Sequence, residues 1–134
     1  MAYLDPDGGR DAWAVAERAS AIETARLALL VSAIFNFIAC ASGVLAALFL
    51  LISIVGIIAL PCMGVIIIAQ GILGVFELSA RTRLASPHES YAAAAQLRTI
   101  AIFEILTILV GNIAGLVCGI VNLTKVDAIA GQKM

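Results

Sequence analysis

The sequence predicts an all-α integral membrane protein with three transmembrane helices, at about residues 27–50, 63–80 and 99–123. Two observations lead to this fold class. Hydrophobic residues make up 63% of the 134-residue chain, charged residues only 13%, and the mean hydropathy is +1.10. In addition, residues 27–76 contain no charged side chain. Because one helical crossing of the hydrocarbon core needs about 20 apolar residues, this stretch is long enough for two crossings and a turn.

The segment before the uncharged stretch is expected to be helical, within a single domain that covers residues 1–134. Residues 1–10 contain one proline and two glycines and are predicted as an irregular tail. Asp11 is a good N-cap, and the alanine-rich residues 12–26 have high helix propensity. This helix either extends the first transmembrane helix into the cytoplasm or lies on the membrane surface, and the extension is the favoured interpretation.

The turn between the first two membrane helices is expected within residues 51–62. Gly56 and Pro61 are the only residues there that disfavour a helix. The turn contains no charge, so we expect it to lie against protein or at the edge of the bilayer. A re-entrant hairpin that does not cross completely is the alternative.

A polar connection follows the second membrane helix, and we predict a cytoplasmic loop at residues 81–86. Ser86, Pro87 and Glu89 form the pattern of a capping box with proline in the first turn, which predicts a helix start. The helix from this start to residue 123 is too long for the hydrocarbon alone. We therefore expect residues 87–98 to extend into the cytoplasm, and residues 124–134 to form a polar tail.

The basic residues predict the orientation. Three crossings place six arginines on the side of the N-terminus and two lysines on the opposite side. The positive-inside rule then gives a cytoplasmic N-terminus and a C-terminus on the other side of a membrane, interpreted as a bacterial-type inner membrane. Dividing residues 27–78 into three crossings of about 17 residues would be at the lower limit of length, so this four-crossing model is not favoured. The predicted cytoplasmic anchors are Arg26, Arg81, Arg83 and Arg98.

Small residues mark the expected helix–helix contacts. In the third predicted membrane helix, three glycines at intervals of four residues would form a flat stripe that lets another backbone approach closely. The contact could lie within the chain or between copies, and a groove for a lipid or pigment tail is the alternative. The residues predicted to pack in this way are Gly43, Gly64, Gly71, Gly74, Gly111, Gly115 and Gly119.

Four polar residues are predicted to share one layer inside the membrane, namely Asn36, Gln70, Glu104 and Thr107. At 1.5 Å per residue they lie roughly 8–15 Å from the cytoplasmic boundary. Glu104 is either a protonatable group in an ion or proton path, or a structural group that pairs with an arginine or hydrogen-bonds to Gln70. The structural interpretation is favoured, since no second carboxylate is expected at that depth.

Several kinds of chemistry have no residue pattern in the sequence. His88 is the only histidine and belongs to a loop, and no catalytic triad, CxxC motif or phosphate-binding loop occurs. We therefore predict no enzyme activity, no catalytic or metal-binding residues and no cofactor, with bound lipids as the ligands that the composition allows. Without a basic run, nucleic acid is not an expected partner. The three cysteines are expected to be packing residues.

The sequence therefore favours a small non-catalytic membrane protein, acting as a structural or accessory subunit that packs through its small-residue faces. Its partners would be membrane lipids and either other membrane subunits or copies of itself. The first alternative is an oligomeric ion or proton channel or transporter with Asn36, Gln70 and Glu104 along the path. Several copies would be needed, because three helices alone enclose no lumen. The second alternative is a membrane-shaping hairpin protein.

Overall fold

The computed structural model describes residues 6–51 and 54–131, which form helices joined by short turns and contain no β-strand. Four of these helices are long and apolar enough to cross a membrane. They are α1 (Pro6–Leu50), α2 (Ile54–Leu84), α3 (Ser90–Leu106) and α4 (Ile113–Ala130), and a short 3-10 turn, Thr107–Val110, follows α3. The all-helical prediction is confirmed, and the apolar helices agree with a membrane protein. The predicted number of three is wrong.

The extra helix arises because the predicted membrane helix at residues 99–123 is broken at Gly111 and Asn112. Gly111 has φ +83°, in the left-handed region that glycine adopts without steric cost. Asn112 is the N-cap of α4, and its side-chain oxygen accepts a hydrogen bond from the Gly115 backbone N–H at 2.9 Å. The two residues therefore end one helix and begin the next, and Gly111 belongs to a turn instead of a helix face.

The first two membrane helices are longer than predicted. The helical extension at residues 12–26 and the membrane helix at 27–50 form one continuous helix, α1, which also includes residues 6–10 of the predicted irregular tail. α2 begins at Ile54, so the predicted start at residue 63 is wrong. Residues 52 and 53 of the predicted turn at 51–62 lie outside the described residues.

Neither predicted helix breaker in this region ends a helix. Gly56 and Pro61 both lie inside α2. A Cβ atom at Gly56 would overlap the Leu50 carbonyl oxygen, so this glycine permits the tight reversal between α1 and α2. Proline near the start of a membrane helix is tolerated where neighbouring groups satisfy the freed backbone carbonyl.

The polar connection lies later than predicted. α2 continues to Leu84 and α3 begins at Ser90, so the loop is at residues 85–89 instead of 81–86. The predicted capping box is not formed: Glu89 is the N-cap and makes no side-chain capping hydrogen bond. The Ser90 hydroxyl instead donates to the Pro87 carbonyl at 3.1 Å. α4 extends to Ala130, so the first part of the predicted polar tail at 124–134 is helical.

The helices pack as two hairpins, α1–α2 and α3–α4, with α1 also lying along α4. Buried positions recur at intervals of three and four residues, as in α3 at Ser90, Ala94, Leu97, Ala101 and Glu104, which is the spacing of left-handed helix packing. Many of the core residues are alanines. The core at the charged end contains Ala21, Ala25, Leu29, Ala80, Leu84, Ala93, Ala94, Leu97, Ile100, Val126 and Ile129.

The predicted packing glycines lie at different contacts. Gly119 lies against α3, where a Cβ atom would be 2.7 Å from the Ala101 carbonyl oxygen. Gly115 lies against the Thr107 hydroxyl. Gly43, Gly71 and Gly74 lie where α1 meets α2, against Ile67, Cys40 and Phe37 respectively. Gly64 has open space around the position of a Cβ atom. The three-glycine stripe of the sequence is thus reduced to Gly115 and Gly119.

The contacts of Arg18 show which helix ends lie next to one another. Its Nε donates to the Ile129 carbonyl at 2.9 Å, its Nη2 donates to the Ser90 hydroxyl at 2.9 Å, and the guanidinium lies 3.7 Å above the Tyr91 ring. The carboxyl end of α4 is therefore beside the first half of α1 and the start of α3. The predicted C-terminus on the opposite side rested on three membrane helices, whereas four of the described helices are long and apolar enough to cross a membrane.

Gly119→Ala should destabilise the protein by about 1–3 kcal/mol, because the added methyl group would overlap the α3 backbone. Gly64→Ala is the matched control and should be neutral or slightly stabilising, since the methyl group there meets nothing within 4 Å. Both free energies of unfolding can be measured by circular dichroism in mixed detergent micelles. Equal effects of the two substitutions would contradict a close α3–α4 contact at Gly119.

Candidate functional site

Two carboxylates meet inside the bundle. Glu77 on α2 and Glu104 on α3 are both 0% exposed. Their positions follow from helical spacing: Glu77 lies on the same face as the buried residues Ala80 and Leu84, and Glu104 on the face of Leu97 and Ala101. Each carboxylate therefore lies inside the bundle, because it belongs to the row of buried residues on its own helix.

The donors to Glu77 come from α1. The Ser32 hydroxyl donates to Glu77 Oε1 at 2.9 Å, and Asn36 Nδ2 donates to the same oxygen at 2.8 Å. Ser32 and Asn36 are both 0% exposed and lie one helical turn apart. One oxygen of Glu77 is therefore satisfied entirely by the neighbouring helix of its hairpin.

The donor to Glu104 comes from α4. Asn122 Nδ2 donates to Glu104 Oε2 at 2.9 Å, and Asn122 is itself 0% exposed. All four helices therefore supply a side chain to this cluster, which we call the carboxylate site: Ser32, Asn36, Glu77, Glu104 and Asn122.

Glu77 and Glu104 lie on the neighbouring helices α2 and α3, close enough for their charges to interact. Glu77 Oε2 and Glu104 Oε1 are buried and have no other hydrogen-bond donor, and Asn122 Oδ1 is also buried without a partner. An ionised carboxylate only accepts hydrogen bonds. A proton bound by either carboxyl group would make that group a hydrogen-bond donor as well as an acceptor.

A further contact connects the carboxylate site to the turn between α3 and α4. Asn112 Nδ2 donates to Asn36 Oδ1 at 3.0 Å. Asn36 thus donates to Glu77 and accepts from Asn112, so a continuous chain of polar groups runs from the carboxylates to the turn. Such a network strengthens each of its hydrogen bonds where water is excluded.

Only part of the predicted polar layer lies at this site. Asn36 and Glu104 belong to it, while the Thr107 hydroxyl donates to the Glu104 backbone carbonyl. Gln70 is buried on α2, seven residues from Glu77 and therefore roughly 10 Å further along the helix. The predicted hydrogen bond between Glu104 and Gln70 is replaced by the bond to Asn122.

The predicted polar layer does not include Glu77, although this residue lies within the predicted membrane helix at 63–80, because it is the first charge after a long apolar run. Its spacing of seven residues from Gln70 is the signal that places both on one helix face. Asn122 stands eighteen residues after Glu104, and only the unpredicted turn at Asn112 brings the two together.

The predicted anchoring arginines lie outside the carboxylate site. Arg26 and Arg81 are half-buried, and the Nε of each is enclosed without a hydrogen-bond partner. Arg83 and Arg98 are exposed, and Arg83 donates to the Gln96 side chain at 3.3 Å. The hydrogen bond of Glu104 is to Asn122 and not to an arginine.

Among the described residues, no group of three or more histidine, cysteine, aspartate or glutamate side chains could hold a metal ion. Cys40, Cys62 and Cys118 are all free. Comparison with known proteins does not assign the chain: no protein-family model matches it, and no curated protein and no solved structure is significantly similar.

The bond between Asn36 and Asn112 should couple the two hairpins energetically. A double-mutant cycle with Asn36→Ala, Asn112→Ala and both together should give a coupling energy of about 0.6–1.7 kcal/mol, the range for hydrogen bonds inside membrane proteins. The free energies of unfolding would be measured in mixed micelles. Because Asn112 also caps α4, the single substitutions alone do not isolate this bond. Additive effects would show that the two side chains do not interact.

Proposed function

We propose that the protein conducts or transports protons, with the Glu77–Glu104 pair as its proton-binding site. The observation that carries the proposal is the full burial of two carboxyl groups on neighbouring helices, each with one oxygen that has no hydrogen-bond donor. An ionisable residue inside a membrane indicates a functional site, and here two of them meet. This supports the channel or transporter interpretation, because the structural interpretation of Glu104 rested on the absence of a second carboxylate at that depth.

A proton is the cation that best fits the pair. Two adjacent negative charges in an apolar bundle repel each other strongly, and a proton held between them turns this repulsion into a hydrogen bond. Ser32, Asn36 and Asn122 stabilise the outer oxygens by neutral hydrogen bonds, without a cationic partner that would hold both groups ionised. The pair can therefore gain and lose one proton while its other contacts are kept.

The charge distribution supports one orientation. Among the described residues, the basic side chains at the end of the bundle that contains the α2–α3 loop are Arg18, Arg26, Arg81, Arg83, Arg98 and Lys125. The sequence at residues 51–53 and 107–112 carries no charge. Under the positive-inside rule, the charged end faces the cytoplasm. We therefore propose that both hairpins enter the membrane from the cytoplasmic side.

The two hairpins would reach different depths. Arg26 and Leu51 are 25 residues apart, roughly 38 Å along a helix, which exceeds a hydrocarbon core of about 30 Å. Arg98 and Gly111 are 13 residues apart, roughly 20 Å. The hydrogen bond between Asn36 and Asn112 agrees with a smaller depth of the α3–α4 hairpin. Its turn at Asn112 contacts α1 at Asn36, which lies only ten residues beyond Arg26. α3 and α4 would thus form a hairpin that enters and leaves on the same side, with its tip held by α1.

This placement puts the polar groups in the middle of the membrane. Glu104 is six residues beyond Arg98, roughly 9 Å in, and the turn at Asn112 lies roughly 20 Å in. Buried Gln70 continues the polar groups along α2 towards the far side. The series from Glu104 through Glu77 and Asn36 to Gln70 provides the path along which we propose that protons move.

The orientation can be tested by labelling single cysteines from either side of sealed vesicles, in a variant without the three native cysteines. Ser86→Cys and Lys125→Cys should react with a membrane-impermeant maleimide from the same side, and Leu51→Cys from the opposite side. Leu109→Cys, at the tip of the short hairpin, should react from neither. Labelling of Lys125→Cys from the side opposite to Ser86→Cys would contradict the proposal and restore three crossings. An unreactive Leu51→Cys would favour the membrane-shaping hairpin.

Proton movement can be measured with the purified protein in liposomes that carry a pH gradient and a pH-sensitive dye. The native protein should dissipate the gradient, while Glu77→Gln and Glu104→Gln should reduce the flux to that of protein-free liposomes, because an amide cannot accept and release the proton. Glu89→Gln is the matched control, since this glutamate is exposed in the loop.

Two results would contradict the proposal: no flux with the native protein, or equal flux with all three variants. Either result would indicate a structural role for the carboxylate pair and would favour the accessory-subunit hypothesis. In that case, partner proteins should co-purify with the chain in mild detergent. That the protein is not an enzyme and uses no cofactor stays a prediction.

A further inference from the structure

A groove of about 570 Å³ lies between the first half of α1 and the loop that joins α2 to α3. Its charged lining residues are Arg18, Glu23 and Arg26, all on α1. Its other walls are mainly apolar, including Ile22 and Leu84. Arg26 directly precedes the uncharged stretch that begins at Leu27, so the groove lies where the charged end of the bundle meets its apolar belt.

The two arginines of this groove keep hydrogen-bonding capacity for a ligand. Arg26 lines the groove, and its Nε is enclosed, so the N–H groups that it can offer to a ligand are those of its two Nη atoms. Arg18 is held by two neutral acceptors, the Ile129 carbonyl and the Ser90 hydroxyl, and by stacking on Tyr91. A guanidinium has five N–H donors, so Arg18 retains donors beyond these two bonds. Both arginines therefore offer N–H groups at fixed positions on one side of the groove.

We propose that this groove binds the phosphate group of an anionic membrane lipid. Guanidinium groups bind phosphate through paired, charge-assisted hydrogen bonds, and Arg18 and Arg26 lie two helical turns apart on the same helix. The apolar wall around Leu84 contacts the first part of the acyl chains, which continue along the uncharged belt. A soluble anion would match the arginines but leave this wall exposed to water.

Glu23 lies in the same groove and opposes an anion. Its carboxylate is exposed, so water screens it, and two arginines against one glutamate leave the groove with a net positive charge. The glutamate provides a test with the opposite sign, because its removal strengthens phosphate binding while removal of an arginine weakens it. The site shares no residue with the carboxylate pair, so it does not depend on the proposed proton function.

The experiment measures the thermal midpoint of the full chain in detergent during titration with short-chain phosphatidylglycerol. The midpoint should rise with lipid concentration, and phosphatidylcholine or inorganic phosphate at the same concentration should leave it unchanged. Arg26→Gln should weaken the response about tenfold or more in concentration, equivalent to about 1.4 kcal/mol. Arg83→Gln is the matched control, because it removes an exposed arginine outside the groove and should keep the response.

Four results would overturn the proposal. Equal stabilisation by phosphatidylcholine would show that only the acyl chains matter, and equal stabilisation by inorganic phosphate would assign the groove to a soluble anion. If Arg26→Gln and Arg83→Gln weakened the response to phosphatidylglycerol equally, the response would reflect net charge instead of the groove. Glu23→Gln should lower the lipid concentration that is needed. An unchanged or weaker response of this variant would overturn phosphate binding even if Arg26→Gln failed to fold.

Discussion

The arrangement of the helices depends on the burial of Glu77 and Glu104. In lipid the hydrophobic effect does not draw helices together, so close packing and polar contacts between them determine which helices associate. A buried carboxylate without donors is very unfavourable. Glu77 takes its donors from α1 and Glu104 takes its donor from α4, while the two acids meet between α2 and α3. The pair therefore constrains the rotation of all four helices at one level of the bundle.

Small residues make this polar cluster possible. Serine and asparagine side chains are short, so they reach the carboxylates of a neighbouring helix only where the helix backbones are close. Gly119 lets α4 approach the α3 backbone at Ala101, within one turn of Glu104, and five of the eleven core residues towards the charged end are alanines. Larger side chains at these positions would separate the helices and leave the carboxylates without donors. Close packing and hydrogen bonding are thus interdependent in this protein.

The sequence predicted the all-helical fold and the first hairpin, because the length of an uncharged stretch is a direct measure of membrane-spanning capacity. It did not predict the break at Gly111, since glycine in a packing stripe and glycine in a turn look identical in sequence. It missed Glu77 because hydropathy ends a membrane helix at the first charge, whereas packing can bury that charge. Glu104 and Asn36 could be identified from depth alone. Their partners required the positions of the other helices, which periodicity does not give.

The fourth helix allows a single chain to surround the carboxylate site. Three helices enclose no lumen, so an ion path through the predicted fold required several copies of the chain. With four helices, the acids on α2 and α3 lie between donors from α1 and α4, and a single chain completes the site. The short α3–α4 hairpin limits this enclosure to the level of Asn36 and Asn112, beyond which α1 and α2 continue as a pair. On α2, the next buried polar side chain beyond Glu77 in that direction is Gln70, so the proposed path would leave the four-helix bundle near this amide.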